Sequence, residues 1–127
     1  MAWVWVPKRT VVGIHQKSLE RYGGAAGVRD AALLESALAR PENLAAYGDP
    51  SVFDLAAAYG FGLVRNHPFV DGNKRTAFLT ASLFLSLNGL RLDADEPDAT
   101  ATMLAFAAGA IDEAAFADWL RRVSAPA

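Results

Sequence analysis

Fifteen consecutive residues, Thr76 to Leu90, carry no charge. A bilayer-spanning helix needs about 20 apolar residues, and this run includes Thr76, Thr80, Ser82, Ser86 and Asn88. It is too short and too polar for a membrane anchor. As a helix it is apolar on nearly every face, through Ala77, Phe78, Leu79, Leu83, Phe84, Leu85 and Leu87, so it has to be enclosed by other elements. The pattern predicts helix from about Asn73 to Asn88, with Gly89 as the stop.

The remaining segments supply the enclosure. From Lys8 to Tyr22, Val11, Ile14, Leu19 and Tyr22 fall mostly three and four residues apart before Gly23 and Gly24, which reads as a helix and its stop. Asp30 is placed to cap a second helix carrying Leu33, Leu34, Ala37 and Leu38. Pro41 disfavours helical geometry in its predecessor, so that helix is expected to end near Arg40 and residues 41–48 to be an irregular surface segment. Asp49 and Pro50 read as cap and first position of a third helix, with Val52, Leu55, Ala56, Tyr59 and Leu63 on one face and a stop near Asn66. Pro97 opens a fifth helix through Met103 and Phe106 to Gly109, and Asp112 caps a sixth with Phe116, Trp119 and Leu120. Residues 1–6, MAWVWV, are β-branched and aromatic enough for a short edge strand ended by Pro7. The chain of 127 residues fits one domain spanning 1–127. The expected fold class is all-α: a single-domain bundle around the central buried helix, with a short N-terminal strand.

Composition narrows the function. With 53% hydrophobic and 20% charged residues, the chain buries enough apolar surface to offset the entropy of ordering. A net charge of −2 lacks the broad positive field of a sequence-independent nucleic-acid binder, so no direct nucleic-acid partner is expected. The absence of cysteine excludes disulfides and thiolate metal sites and fits a reducing compartment. Residues 1–7 carry neither a basic leader nor a long apolar run, and a cytoplasmic location is expected. Trp3, Trp5 and Trp119 read as core or interface aromatics, and His15, beside Ile14 on an amphipathic helix, as a packed, hydrogen-bonded residue.

Between the third helix and the central one lies HPFVDGNKR, residues 67–75. Gly72, Asn73 and Lys74 fall at the central helix N-terminus, where unpaired N–H groups and the positive dipole end favour an anion. Gly72 keeps the backbone open, the Asn73 amide can donate, and Lys74 and Arg75 add charge. From Arg65 to Arg75 the chain carries a local charge of +2, three cations against Asp71. An Asp-Gly pair is also a common turn, and Asn-Lys-Arg is ordinary surface chemistry. Cations at that helix end are unfavourable, however, unless an anion compensates them. A phosphate chain is the implied ligand, with Asp71 tolerated beside it if Mg²⁺ bridges carboxylate and phosphate. His67, mostly neutral near pH 7, is the candidate base for an attacking hydroxyl.

This loop resembles the signature of the Fic/Doc family, nearest its Doc (death-on-curing) branch. The likeness continues through RYGG, LLESALARP, SVFDLAAAYGFGLVRNHPF and FLSLNG. The wider Fic pattern, H-P-F-x-[D/E]-G-N-G-R-x-x-R, has Gly where this chain has Lys74 and Arg where it has Phe78; both departures resemble Doc. The resemblance implies His67 as base, Asp71 as Mg²⁺ ligand, and Gly72, Asn73, Lys74 and Arg75 as the ATP phosphate set. It further implies a reversed nucleotide whose γ-phosphate faces the hydroxyl. A lysine stem in place of glycine, and the lost arginine fork at 78, are physical grounds for that reversal.

By the same resemblance the chain is expected to be the toxin of a toxin–antitoxin pair. It would phosphorylate a Thr/Ser hydroxyl of an elongation factor Tu-like protein with ATP and Mg²⁺, and a Phd-like antitoxin would restrain it. Residues 41–53 correspond to the flap that docks the target in relatives. Self-silencing Fic proteins carry [S/T]-x-x-x-E-[G/N], and no Ser or Thr here has Glu four residues on, which points to control from another chain or from expression. Two alternatives stand beside this reading: an AMP transferase of the Fic type, and a noncatalytic helical binding module.

Overall fold

The computed structural model describes residues 2–127. Six helices are present: α1 Lys8–Tyr22, α2 Ala31–Tyr47, α3 Val52–Asn66, α4 Asn73–Leu87, α5 Glu96–Ala107 and α6 Glu113–Arg122. Two three-residue strands, β1 Leu90–Leu92 and β2 Ser124–Pro126, pair antiparallel with Arg91 opposite Ala125. The all-α bundle expected from the sequence is what forms. No helix among the described residues is long and apolar enough to cross a membrane.

The centre is an antiparallel pair. α4 packs most extensively against α3, and α1, α5 and β1 flank it. α3 lies between α4, α2 and α6 and is the more completely enclosed of the two, buried almost continuously from Leu55 to Val64. Leu34, Leu55, Tyr59, Leu63, Phe84, Leu85, Phe116 and Leu120 form the heart of the core. Leu79 and Leu87 of α4 are partly exposed, so one side of α4 is not covered.

Three local expectations are corrected. The first concerns α2, which does not stop near Arg40 but runs through Pro41 to Tyr47, so residues 41–47 are helical rather than irregular. An internal proline costs about 3 kcal/mol because it removes a hydrogen bond and crowds the carbonyl four residues back. That carbonyl belongs to Ala37, and Gly62 of α3 packs directly against it: a Cβ at Gly62 would stand 2.9 Å from the Ala37 Cα and carbonyl oxygen. Burial of Leu34, Ala37, Leu38 and Pro41 outweighs the local penalty.

The second correction is the start of α3, which is capped by Ser51, not Asp49. Ser51 Oγ accepts from the Asp54 N–H at 3.1 Å while Asp54 Oδ2 accepts from the Ser51 N–H at 2.8 Å. This reciprocal box satisfies two donors where a lone Asp cap satisfies one.

The third correction is the N-terminal strand. Residues 2–7 are extended but pair with no strand, and position 1 lies outside the described residues. Side chains hold the segment instead. Asn88 accepts from the Val4 N–H and donates to the Val4 carbonyl, each at 3.0 Å. The Tyr59 hydroxyl accepts from the Val6 N–H at 3.0 Å, and Trp5 stacks on Phe84 at 5.7 Å. Trp3 and Trp5 are half-buried against the core and Trp119 is buried, as their composition reading required.

Candidate active site

The loop between α3 and α4 is built to present one side chain. His67 ends α3 in the left-handed region, φ 49° and ψ 54°, the only non-glycine residue with positive φ among those described. Pro68 follows and prevents the helix from continuing. Gly72 then takes φ 76° to start α4. Between these two turns Phe69 is fully buried, and its backbone N–H donates to Asn73 Oδ1 at 3.0 Å while the Asn73 amide returns a bond of 3.0 Å to the Phe69 carbonyl. Asn73 thereby closes the loop on the first residue of α4. The second amide hydrogen of Asn73 faces His67 Nδ1 at 3.2 Å, leaving Nε2 as the ring nitrogen turned to solvent on an exposed residue.

α2, α3, α5 and α6 each have their first N–H groups capped by an Asp or Ser side chain. α4, like α1, has no side-chain cap. Its first-turn N–H groups at Asn73, Lys74 and Arg75 therefore remain directed outward, where the helix dipole favours negative charge. The sequence-selected residues are brought together here, with a division of labour among them. The Asn73 side chain is buried and fully used within the loop, so its backbone N–H is what it offers a ligand. Lys74 and Arg75 are exposed and lie toward α1, where the Arg75 guanidinium stacks 3.9 Å above the Tyr22 ring. Arg65, counted in the local charge, stands instead beside Phe61, 5.4 Å from its ring.

Asp71 is exposed. Its Oδ1 accepts from the Gly72 N–H at 2.8 Å and its Oδ2 from the Ala25 N–H at 3.3 Å. Each oxygen retains a lone pair. No cluster of three His, Asp or Glu residues suited to a metal exists among the described residues. A lone carboxylate with a lone pair free on each oxygen is the kind of donor Mg²⁺ takes when phosphate oxygens and water complete its octahedron. It does not fit a metal held by protein ligands alone.

Residues outside the motif support it from α1 and the α1–α2 connection, and motif reading overlooked them. Buried His15 lies with Nε2 2.7 Å from the Asp71 carbonyl oxygen and stacks on Phe69 at 3.9 Å; it is a packed, hydrogen-bonded residue that acts on the loop. Gly24 beneath Asp71 takes φ 123°, a conformation side-chain-bearing residues rarely adopt, and a Cβ there would also crowd Oδ2 at 2.9 Å. The segment 27–30 runs antiparallel to the loop through Val70 N–H to the Gly27 carbonyl, 3.0 Å, and Arg29 N–H to the Pro68 carbonyl, 2.7 Å. The RYGG element was legible as a likeness, but the bond to Asp71 comes from Ala25, the residue after it, across 46 positions, beyond any local signal.

A groove of about 780 Å³ opens beside Lys74 and Arg75, between α1, α4 and α5. Phe78, Leu79, Leu83, Met103 and Leu104 supply its apolar wall, and Lys17 and Arg21 add charge near Tyr22. His67 and Asp71 are not among its walls.

The model of the Fic/DOC family matches residues 5–85, from the N-terminal segment through most of α4. The chain belongs to the Fic/Doc family. A Fic/Doc relative, the protein kinase doc of Escherichia phage P1, is 34% identical over 114 residues, covering 89% of this chain and 90% of its own. The toxin Doc of Mycolicibacterium smegmatis is 49% identical over 77 residues, 58% of each chain. The matched span contains the whole loop, both turns that shape it and the uncapped start of α4.

Proposed function

We propose that the protein is the toxin of a toxin–antitoxin pair that transfers the γ-phosphoryl group of ATP to a Thr or Ser hydroxyl of a translation factor of the elongation factor Tu type. The observation that carries this reading is the exposed His67 ring, oriented by Asn73 at the start of an uncapped helix that bears Lys74 and Arg75. The names of the phage P1 and mycobacterial relatives, a kinase and a toxin, support the reaction class and the biological role.

In this reading the N–H groups of Asn73, Lys74 and Arg75 hold the phosphate chain, with Gly72 leaving the backbone accessible. The Lys74 ammonium and the Arg75 fork add charge-assisted bonds. Asp71 would hold Mg²⁺, which would supply positive charge to neutralise the phosphates. His67, once its ring proton has moved from Nε2 to Nδ1, takes the hydroxyl proton through Nε2 as the oxygen bonds to the γ-phosphorus and ADP leaves. General-base assistance of this kind is worth roughly 10²–10⁴ in rate. A translation factor as substrate places the reaction in the cytoplasm.

The antitoxin is read as a Phd-like chain. Leu79 and Leu104 are exposed along the groove beside Arg75, and an amphipathic segment with apolar and acidic faces is complementary to that wall.

The experiment is incubation of purified elongation factor Tu with the protein, Mg²⁺ and ATP labelled at the α- or the γ-phosphate. Label from γ alone, abolished by His67→Ala, is expected. Label from α would establish AMP transfer instead. No label, together with growth arrest that survives His67→Ala, would leave a noncatalytic binding module.

A further inference from the structure

The left-handed turn that aims His67 is not held by its own helix. The last carbonyls of α3, those of Asn66 and His67, lack intrahelical partners as at any helix end. A side chain from a different element takes both. Arg29 Nε donates to the His67 carbonyl at 2.7 Å, and a terminal nitrogen of the same guanidinium donates to the Asn66 carbonyl at 2.8 Å. The backbone N–H of Arg29 also donates to the carbonyl of Pro68, the next residue, at 2.7 Å. One residue thus engages three successive carbonyls, at 66, 67 and 68, around the one non-glycine position with positive φ among the described residues. A left-handed conformation costs a residue such as histidine about 1–2 kcal/mol. Charge-assisted bonds from a cation at the negative end of a helix dipole are of the size needed to offset that cost.

We propose that Arg29 is a positioning residue for His67: its guanidinium fork holds the 66–67 carbonyls and so fixes the left-handed turn that presents Nε2 to the substrate hydroxyl. The inference rests on the phosphotransfer reading for its catalytic consequence, but its geometric half stands on the turn alone. The hydrogen bonds of Arg29 go to the carbonyls of residues 66–68 and none to the first turn of α4, so its removal is expected to separate from loss of ATP binding. It is also not needed to join α2 to α3. Asp30 caps α2 through Leu33 N–H at 3.0 Å, and the Asn66 amide donates to the Leu33 carbonyl at 2.9 Å.

The test compares wild type, Arg29→Gln and Arg29→Lys as full chains. Misplacing a catalytic group by about 1 Å costs on the order of 10²-fold in rate. Arg29→Gln is therefore expected to lower kcat for phosphorylation of elongation factor Tu by roughly that factor with KM for ATP unchanged. Arg29→Lys, a point charge without a fork, should restore only part. In the same samples without nucleotide, the one-bond Cα–Hα coupling of His67 separates positive from negative φ. It should report the left-handed turn in wild type and a shift toward negative φ in Arg29→Gln, while His15, the only other histidine, stays fixed. An unaltered His67 coupling in Arg29→Gln overturns the proposal, as does a rate loss explained entirely by a lower folded fraction. If wild type labels nothing, the functional reading fails and the coupling alone decides Arg29.

Discussion

Asn73 presents its amide nitrogen to His67 Nδ1 at 3.2 Å, and which end of that amide faces the ring is fixed from elsewhere. The Phe69 N–H can only donate, so the Asn73 oxygen must face it. Nδ1 consequently accepts, and the neutral ring at rest carries its proton on Nε2. Service as a base through Nε2 requires that proton to move to Nδ1 as the Asn73 contact loosens. The expected ring ¹⁵N shifts in the nucleotide-free protein are those of an unprotonated Nδ1. Asn73→Asp supplies an acceptor and should place the proton on Nδ1. Asn73→Ala, which frees the ring, should lower kcat by roughly 10²-fold through misorientation. A protonated Nδ1 in the wild type would refute the assignment.

Arg75 lies 3.9 Å above the Tyr22 ring, and the stack holds its fork beside the first turn of α4, where the proposed phosphate site lies. Losing a charge-assisted bond costs about 1.5–3 kcal/mol, so Arg75→Ala should raise KM for ATP roughly tenfold to a hundredfold. An exposed cation–π contact is worth about 0.5–1 kcal/mol. Tyr22→Ala should therefore raise KM only a few-fold, and Tyr22→Phe, which keeps the ring face, should not change it. A lower KM in Tyr22→Ala would mean that the stack competes with the phosphates rather than preparing for them.

What could be seen in the sequence divides along a physical line. The four helices begun by Asp30, by the Asp49–Ser51 region, by Pro97 and by Asp112 were visible because caps and periodicity act within a turn or two, although the third was displaced by a competing box at Ser51 and Asp54. The loop residues were visible because they are contiguous. Pro41 misled because its cost is local whereas the packing of Ala37 on Gly62 that overrides it is not. The strands Leu90–Leu92 and Ser124–Pro126 are too short for a period-two pattern and pair across more than thirty residues. His15 and Arg29 act on the loop from 56 and 38 positions away, and no spacing rule encodes such contacts.

At Gly62 the backbones of α2 and α3 pack directly against each other. A methyl group there would meet the Ala37 Cα and carbonyl oxygen at 2.9 Å and its Cβ at 3.0 Å, and backbone cannot swing aside as a side chain tip can. Overpacking of this kind costs about 1–3 kcal/mol. Gly62→Ala is expected to lower the urea midpoint accordingly. Gly13→Ala, where nothing lies within 4 Å, should be neutral or mildly stabilising because alanine is the better helix former. Equal stability of the two variants would show that α2 and α3 are free to separate.

Tyr59 is buried in the middle of α3, and burial pushes its phenol up to about 12 from 10.0; the bond from the Val6 N–H acts in the opposite direction and Glu42 adds to the rise. The folded protein thus keeps this proton at a pH where the unfolded chain has released it. The stabilisation is complete below pH 10 and is lost as pH rises from there toward 12. Tyr59→Phe strands the Val6 N–H and should cost about 1–3 kcal/mol near neutral pH, yet it has no phenol to titrate. Urea unfolding of both proteins across this range should show the wild-type advantage shrinking with rising pH until the curves approach one another. A constant gap up to the alkaline limit would mean that the phenol does not resist ionisation in the fold.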